Sequence, residues 1–230
     1  MENIISALTK ALGLIISLDK EVFSIVLLSF SVSLSAVFFS SLISLPLSLF
    51  LALKKFPGNR FIVNTINSLM AVPAVAIGLV VYLIISRRGP LGVLELLYTP
   101  WAMIIAQAIL VTPIITSLSH QTLKRVGSMV KETAISLGAS GWQMALVIVK
   151  EAKSSLMAAF IVGFARVIGE TGMTMMVGGN IKGVTRVMTT AIALETMKGD
   201  FELAVALGVI LLIVAFAINI ILQVVQGAGR

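Results

Sequence analysis

Cysteine is absent from the chain of 230 residues, and histidine occurs once, as His120. Without thiols there is no disulfide, no thiolate nucleophile and no cysteine metal site. A single imidazole is too little for a histidine-rich metal centre, and it leaves an intramembrane enzyme few candidates for a nucleophile with its base. Charge is scarce as well: Asp, Glu, Lys and Arg make up 12% of the residues, about half the share of a soluble domain. No G-x-x-x-x-G-K-[ST] loop is present to cradle a nucleotide. No linker, low-complexity tract or internal repeat interrupts the chain, so residues 1–230 read as one transmembrane domain. The missing repeat and the few intramembrane ionisable groups argue against a secondary transporter. No basic segment precedes the first apolar positions, so residues 1–20 are expected to be something other than a cleaved signal.

What fills the chain instead is apolar, 58% of the residues. The fold class this predicts is an all-α integral membrane protein. A crossing helix needs roughly 20 apolar residues, and apolar runs mark five, all free of charge but the fourth: Val22 to Leu53, Phe61 to Ser86, about Thr99 to Leu123, Ser154 to about Val177, and Leu203 to Gln226. The first would be about 50 Å long as a helix, so it must tilt, bend at Pro46 or protrude. Prolines at 46, 73, 100 and 113 are ordinary in such helices. Ahead of the spans, Ile4, Ile5, Leu8, Leu12, Ile15 and Ile16 fall near one helical face, opposite Asn3, Ser6, Lys10 and Ser17. That pattern predicts an N-terminal helix lying in the interface; a short packed helix would look the same. The serines of "SVSLSAVFFSSLISLPLS" are read as helix-packing residues.

Orientation follows from Lys and Arg in short loops. Lys54, Lys55, Arg60, Lys124, Arg125, Lys131, Lys150, Lys153 and Arg230 fall on one side, accompanied only by the acids Glu132 and Glu151. Lys10, Lys20, Arg87, Arg88, Lys182, Arg186 and Lys198 fall on the other. The first side is assigned to the cytoplasm.

That side carries the longest soluble-looking stretch, "KETAISLGASGWQMALVIVKEA", Lys131 to Ala152. Ser128 is predicted to cap a short helix through Leu137, with Glu132 near its positive end. Gly138 stands where helices end in a left-handed residue. Ser140 with Gln143 forms a capping box that starts a second helix. A mere connection could be a few polar residues, so helix, turn and helix together point to a partner surface spanning residues 124–153.

Glu132-Thr133-Ala134 followed by Gly138 resembles the EAA-x-x-x-G signature of permease subunits of binding-protein-dependent ABC importers. The resemblance implies that this loop is a coupling helix docking on an ATPase subunit through Glu132, Thr133, Ala134, Gly138, Ala139, Ser140 and Trp142. It also implies a non-catalytic subunit without cofactor of its own, ATP being bound by the partner. The implied assembly is a homodimer with two ATPase subunits and an extracellular or periplasmic binding protein. The implied setting is membrane lipid in a prokaryotic inner membrane, with no nucleic acid involved. In the signature's continuation, I-x-L-P, Ile148 matches, whereas Lys150 and Glu151 stand where Leu and Pro are usual. From about Ala71 onward, and above all in "KEAKSSLMAAFIVGFARVIGETGMTMMVGGNIKGVTRVMTTAIALE", the chain is similar to the oxyanion branch. It looks most like the tungstate type, then the molybdate type; sulfate and phosphate permeases are close relatives.

Arg166 and Glu170 lie one turn apart on the fourth span, about 18 Å in from Ser154. Charges at such depth face protein or water and are paired. They read either as a structural ion pair, which would tolerate exchange, or as an arginine helping an anion through with Glu170 limiting its grip. Thr171 and Thr174, with Gly178, Gly179 and Asn180, could offer hydroxyls and amides to a dehydrated oxyanion, or simply be packing and a helix end. Asn64 and Asn67 are expected to make inter-helix hydrogen bonds, His120 to be solvated, and Ile181 to Lys198 to form an amphipathic segment.

This topology is testable with single cysteines and a membrane-impermeant thiol reagent in intact cells. Gly141→Cys should be protected, and Arg88→Cys and Gly183→Cys should react. The reverse pattern would overturn the orientation.

Overall fold

The computed structural model describes residues 2–17, 19–54 and 56–227, without the side chains of residues 2–8. Lys55 and Arg230 of the charge distribution, and the Asn3, Ile4, Ile5, Ser6 and Leu8 side chains of the predicted interfacial face, lie outside the described residues. All regular structure among these residues is helical: α1 (Glu2–Ile16), α2 (Lys20–Leu53), α3 (Asn59–Leu69), α4 (Ala74–Ile85), α5 (Pro100–Ser136), α6 (Gly141–Glu151), α7 (Lys153–Ile168), α8 (Gly172–Gly178), α9 (Met188–Lys198) and α10 (Phe201–Gly227), with a 3₁₀ turn at Gly92–Leu94.

Helices α2, α5 and α10 are each long and apolar enough to cross a membrane. Two of the predicted spans are instead broken helices, α3 with α4 and α7 with α8, and counting each pair as one gives five. The first break has a plain cause. Pro73 has no N–H to donate and sits extended at φ −60°, ψ 130°, ahead of α4.

The chain divides into two compact units. The first consists of Met1–Ala36, Pro73–Gln107 and Ala165–Ile218. Here α4 packs against α8, and Gly78 makes the approach possible: a Cβ on it would stand 3.0 Å from the Met173 Cα. Small residues at such crossings are how membrane helices gain contact without a hydrophobic drive. The N–H of Tyr98 donates to the Val177 carbonyl at 3.0 Å and ties the loop before α5 to α8. On α1, Ala11 is buried while Leu12 and Ile16 are exposed. Lys10 pairs with Glu202 at the start of α10, and the hydrogen bond and charge of that carboxylate hold its ammonium above the ordinary lysine range.

The second unit consists of Val37–Val72, Ala108–Phe164 and Asn219–Arg230. Its serines pack helices, as their spacing predicted. Ser40, Ser44 and Ser48 are fully buried, the Ser44 hydroxyl donates to the Thr112 carbonyl at 3.2 Å and the Thr112 hydroxyl to Ser40 at 3.1 Å. Leu123, Ile148, Ala152 and Leu156 form a core that Leu45, Leu49, Leu53, Val126 and Met144 cover.

Two expectations are corrected. Ser128 caps nothing, because α5 runs unbroken from Pro100 to Ser136 and the Ser128 hydroxyl donates back to the Arg125 carbonyl at 2.7 Å. The change from apolar to charged side chains near Lys124 alters solvation but not backbone hydrogen bonding, and Lys, Arg, Met and Glu are all good helix formers. His120 is buried at 7% exposure, since the helix that carries it continues past it into packed structure. The segment from Ile181 to Lys198 is helical only from Met188, and Met188 and Ala191 are fully buried within the first unit.

Candidate functional site

Helix α5 ends by a rule its sequence spells out. Gly138 has φ 73°. Its N–H donates to the Ile135 carbonyl at 3.0 Å, and the N–H of Ala139 to the Ala134 carbonyl at 2.9 Å. These are the two bonds of a Schellman stop. Two residues on, the Ser140 hydroxyl accepts from the N–H of Gln143 at 3.3 Å and the Gln143 side-chain oxygen accepts from the N–H of Ser140 at 2.8 Å. This reciprocal cap starts α6. Both ends of the turn are therefore satisfied by their own residues, and its shape needs no partner to hold it.

The outer side of this turn is apolar and uncovered. Leu137 is 80% exposed and Trp142 69%, with Ile135, Leu146 and Val147 also exposed. Glu132, Thr133, Gly138 and Ser140 are exposed beside them, Ala139 is half-buried and Ala134 is buried. The inner side is anchored: Ile148 is fully buried, and its Cδ1 lies 3.5 Å from where a Cβ on Gly127 would be. Exposed apolar patches rimmed by polar residues mark interaction surfaces.

Arg166 and Glu170 do meet, at 2.8 Å. However, Glu170 is no longer on a helix. It stands in the break between α7 and α8, a bend of 67°. One carboxylate oxygen accepts from the Arg166 guanidinium and the other from the N–H of Met173 at 3.3 Å. Its carbonyl accepts from the Thr189 hydroxyl at 2.9 Å. A carboxylate at the start of α8 satisfies an otherwise unpaired N–H. Exchanging the two charges is therefore not neutral, because an arginine at 170 would bring donors to a donor. Thr171 precedes α8 without a side-chain cap. Thr174 is buried at 1% exposure, its hydroxyl accepting from Gln107 at 3.4 Å. Of the predicted residues in this unit, only Arg166, with 40% of its side chain exposed, reaches outward.

Residues 44–228 match the family model described as binding-protein-dependent transport system inner membrane component. The chain belongs to this family. It is 43% identical to the tungstate uptake system permease protein TupB of Peptoclostridium acidaminophilum, over 98% of this chain and 99% of that one. With the tungstate uptake system permease protein TupB of Campylobacter jejuni subsp. jejuni the identity is 37%, over 73% and 70% of the two chains. With the molybdenum transport system permease protein ModB of Haemophilus influenzae it is 29%, over 70% and 76%. Among solved structures, a chain of the MetNI methionine ABC transporter in an inward-facing conformation matches with TM-score 0.72 at 16% identity, covering 92% of this chain and 95% of that one. The fold is thus that of an ABC importer permease.

One polar cluster in this inner membrane component escaped the sequence reading. Arg186, with 9% of its side chain exposed, pairs with Glu195 at 3.1 Å and approaches Glu21 at 3.8 Å. Glu195 also receives Lys198 at 3.1 Å, and Glu21 receives Lys182 at 2.6 Å. The pairing depends on the turn at Gly183, φ 77°, which no spacing rule announces. The available signal was an arginine and a glutamate inside an otherwise apolar and hydroxylated stretch.

The Gly138 turn gives a clean test. A Cβ there meets nothing within 4 Å, so substitution acts through the backbone alone. Gly138→Val should cost about 1–3 kcal/mol and speed amide exchange at Ala139, whereas Gly138→Asn, tolerant of φ above zero, should keep most of the protection. Equal exchange in both variants would contradict the turn.

Proposed function

We propose that this chain is the membrane-spanning subunit of an ATP-driven importer. It passes a tetrahedral oxyanion, tungstate in the first place and molybdate in the second, from an external binding protein into the cytoplasm. Two copies form the passage and two ATPase subunits supply the energy; the chain itself binds no ATP and catalyses no reaction. The observation that carries this reading is the turn between α5 and α6. It is capped at both ends by its own residues, anchored on one side, and bare and apolar on the other at Leu137 and Trp142. Such a surface suits docking into a groove of a partner, with Glu132 set for a cationic contact on that partner. The similarity to tungstate permeases along nearly the whole chain supports the choice of anion.

In this reading the energy enters at Glu132, Thr133, Ala134, Gly138, Ala139, Ser140 and Trp142. Arg166 is the candidate of the membrane pair to meet the anion, since it extends outward while Glu170 is held by Met173 and Thr189. Thr171 and Thr174 keep the break in shape.

The test is uptake by the complex reconstituted in vesicles, with tungstate, molybdate, sulfate and phosphate compared as the binding protein is titrated. Tungstate uptake should require ATP and the binding protein. Glu132→Lys and Trp142→Ala should insert normally yet fail to retain the ATPase or to stimulate uptake. Uptake independent of ATP, or wild-type coupling in both variants, would overturn the reading.

A further inference from the structure

Helix α3 contains no buried residue, although it belongs to one of the broken spans. Asn64 and Asn67 are exposed on it, three residues apart and so on one face. An uncovered amide in hydrocarbon is costly, so such groups face protein or a water-filled passage.

The Asn67 amide is oriented, and its orientation is chemically specific. The buried Ser117 hydroxyl on α5 donates to Asn67 Oδ1 at 2.6 Å. Ser117 in turn accepts from Gln121 Nε2, one turn along the same helix, at 3.2 Å. Each hydroxyl has one proton to give, so the chain runs one way, from Gln121 through Ser117 to Asn67. With its oxygen turned to Ser117, Asn67 has its two Nδ2–H groups left to offer outward, and successive bonds in such a chain polarise and strengthen one another. Gln121 also borders a cavity of about 900 Å³ whose wall includes Arg125, Glu151, Ser155 and Ala159.

We propose that Asn67 is an oxyanion contact on the transport route, with Ser117 and Gln121 as positioning residues that keep it a donor. A cation would require the amide oxygen, which is turned toward Ser117 and already accepts one of its two hydrogen bonds. A tetrahedral dianion requires donors without a fixed charge strong enough to trap it, and neutral N–H groups supply that. Beyond Gln121 the cavity wall carries both the Arg125 cation and the Glu151 carboxylate, so attraction there is tempered as well. This inference rests on the oxyanion-import reading and assigns to it a residue at a named point.

The experiment uses the full complex in vesicles with tungstate as probe, reading uptake, ATP hydrolysis and retention of the ATPase together. Asn67→Asp keeps the shape and replaces the donors by a carboxylate. It should lower uptake by about tenfold or more, the scale of losing a hydrogen bond to a charged group, while assembly and binding-protein-stimulated hydrolysis persist. Ser117→Ala frees the amide to flip and should lower uptake less, whereas Ser117→Thr, which retains the hydroxyl, should restore it. Wild-type uptake in Asn67→Asp would overturn the proposal. So would equal losses in Ser117→Ala and Ser117→Thr, since Asn67 would then only hold helices or copies together. If Asn67→Asp does not assemble, the contrast between the two Ser117 variants decides. A wild-type complex that moves no oxyanion sinks the import reading itself, which the variants do not address.

Discussion

Helix α5 runs on past Pro113, which has no N–H to donate, and through the point where its side chains turn from apolar to charged, and stops only at Gly138. In the second unit this makes one rod from Ala108 to Ser136. The rod carries Thr112, to which Ser44 is bonded, Ser117 and Gln121, which orient Asn67, and Glu132 at the turn. A helix rises about 1.5 Å per residue and resists bending without a break. In the proposed importer, a displacement applied at Glu132 is carried along this helix toward Ser117. Had Ser128 begun a separate helix, loop and membrane segment could have moved independently.

The polar groups divide by how they are satisfied. Arg186 with Glu195 is a buried ion pair, and removing one partner of such a pair leaves a charge uncompensated; Glu170 is buried with its carboxylate bonded to the Met173 N–H. They hold the first unit in shape. Arg166 and Asn67 are different: each is fixed at one atom by a neighbour and presents the rest outward. An arginine held at one nitrogen by Glu170 and an amide held at its oxygen by Ser117 are both donors kept from over-tight binding. That is the chemistry the proposed oxyanion route calls for at each of them.

How much of this was legible in the sequence depended on whether the cause was local. Gly138, Ser140 and Gln143 act within one turn of helix, so the Schellman stop and the capping box could be read directly. The Arg166–Glu170 pair could be read from its spacing, though not its setting in a break, because Gly169 alone does not announce one. The Asn67 bond was foreseen as a contact between helices, but its direction was not, since direction depends on what Ser117 and Gln121 meet. The separate helix expected from Ser128 was misjudged because charge reports where the membrane ends, whereas a helix ends where a residue such as Gly138 ends it. The Arg186 cluster brings Glu21 to residues far along the chain, and its charges alone did not announce that pairing.

The central claim is that α5 transmits motion from the turn to the membrane as a rigid body. It is tested most directly by the number of tungstate ions imported per ATP hydrolysed when Ser128 and Met129 are both replaced by glycine. These positions lie between Gln121 and Glu132, and two glycines beside Gly127 soften the helix there. The account predicts a complex that assembles and hydrolyses ATP while the number imported per ATP falls well below that of the wild type. An unchanged ratio would contradict it.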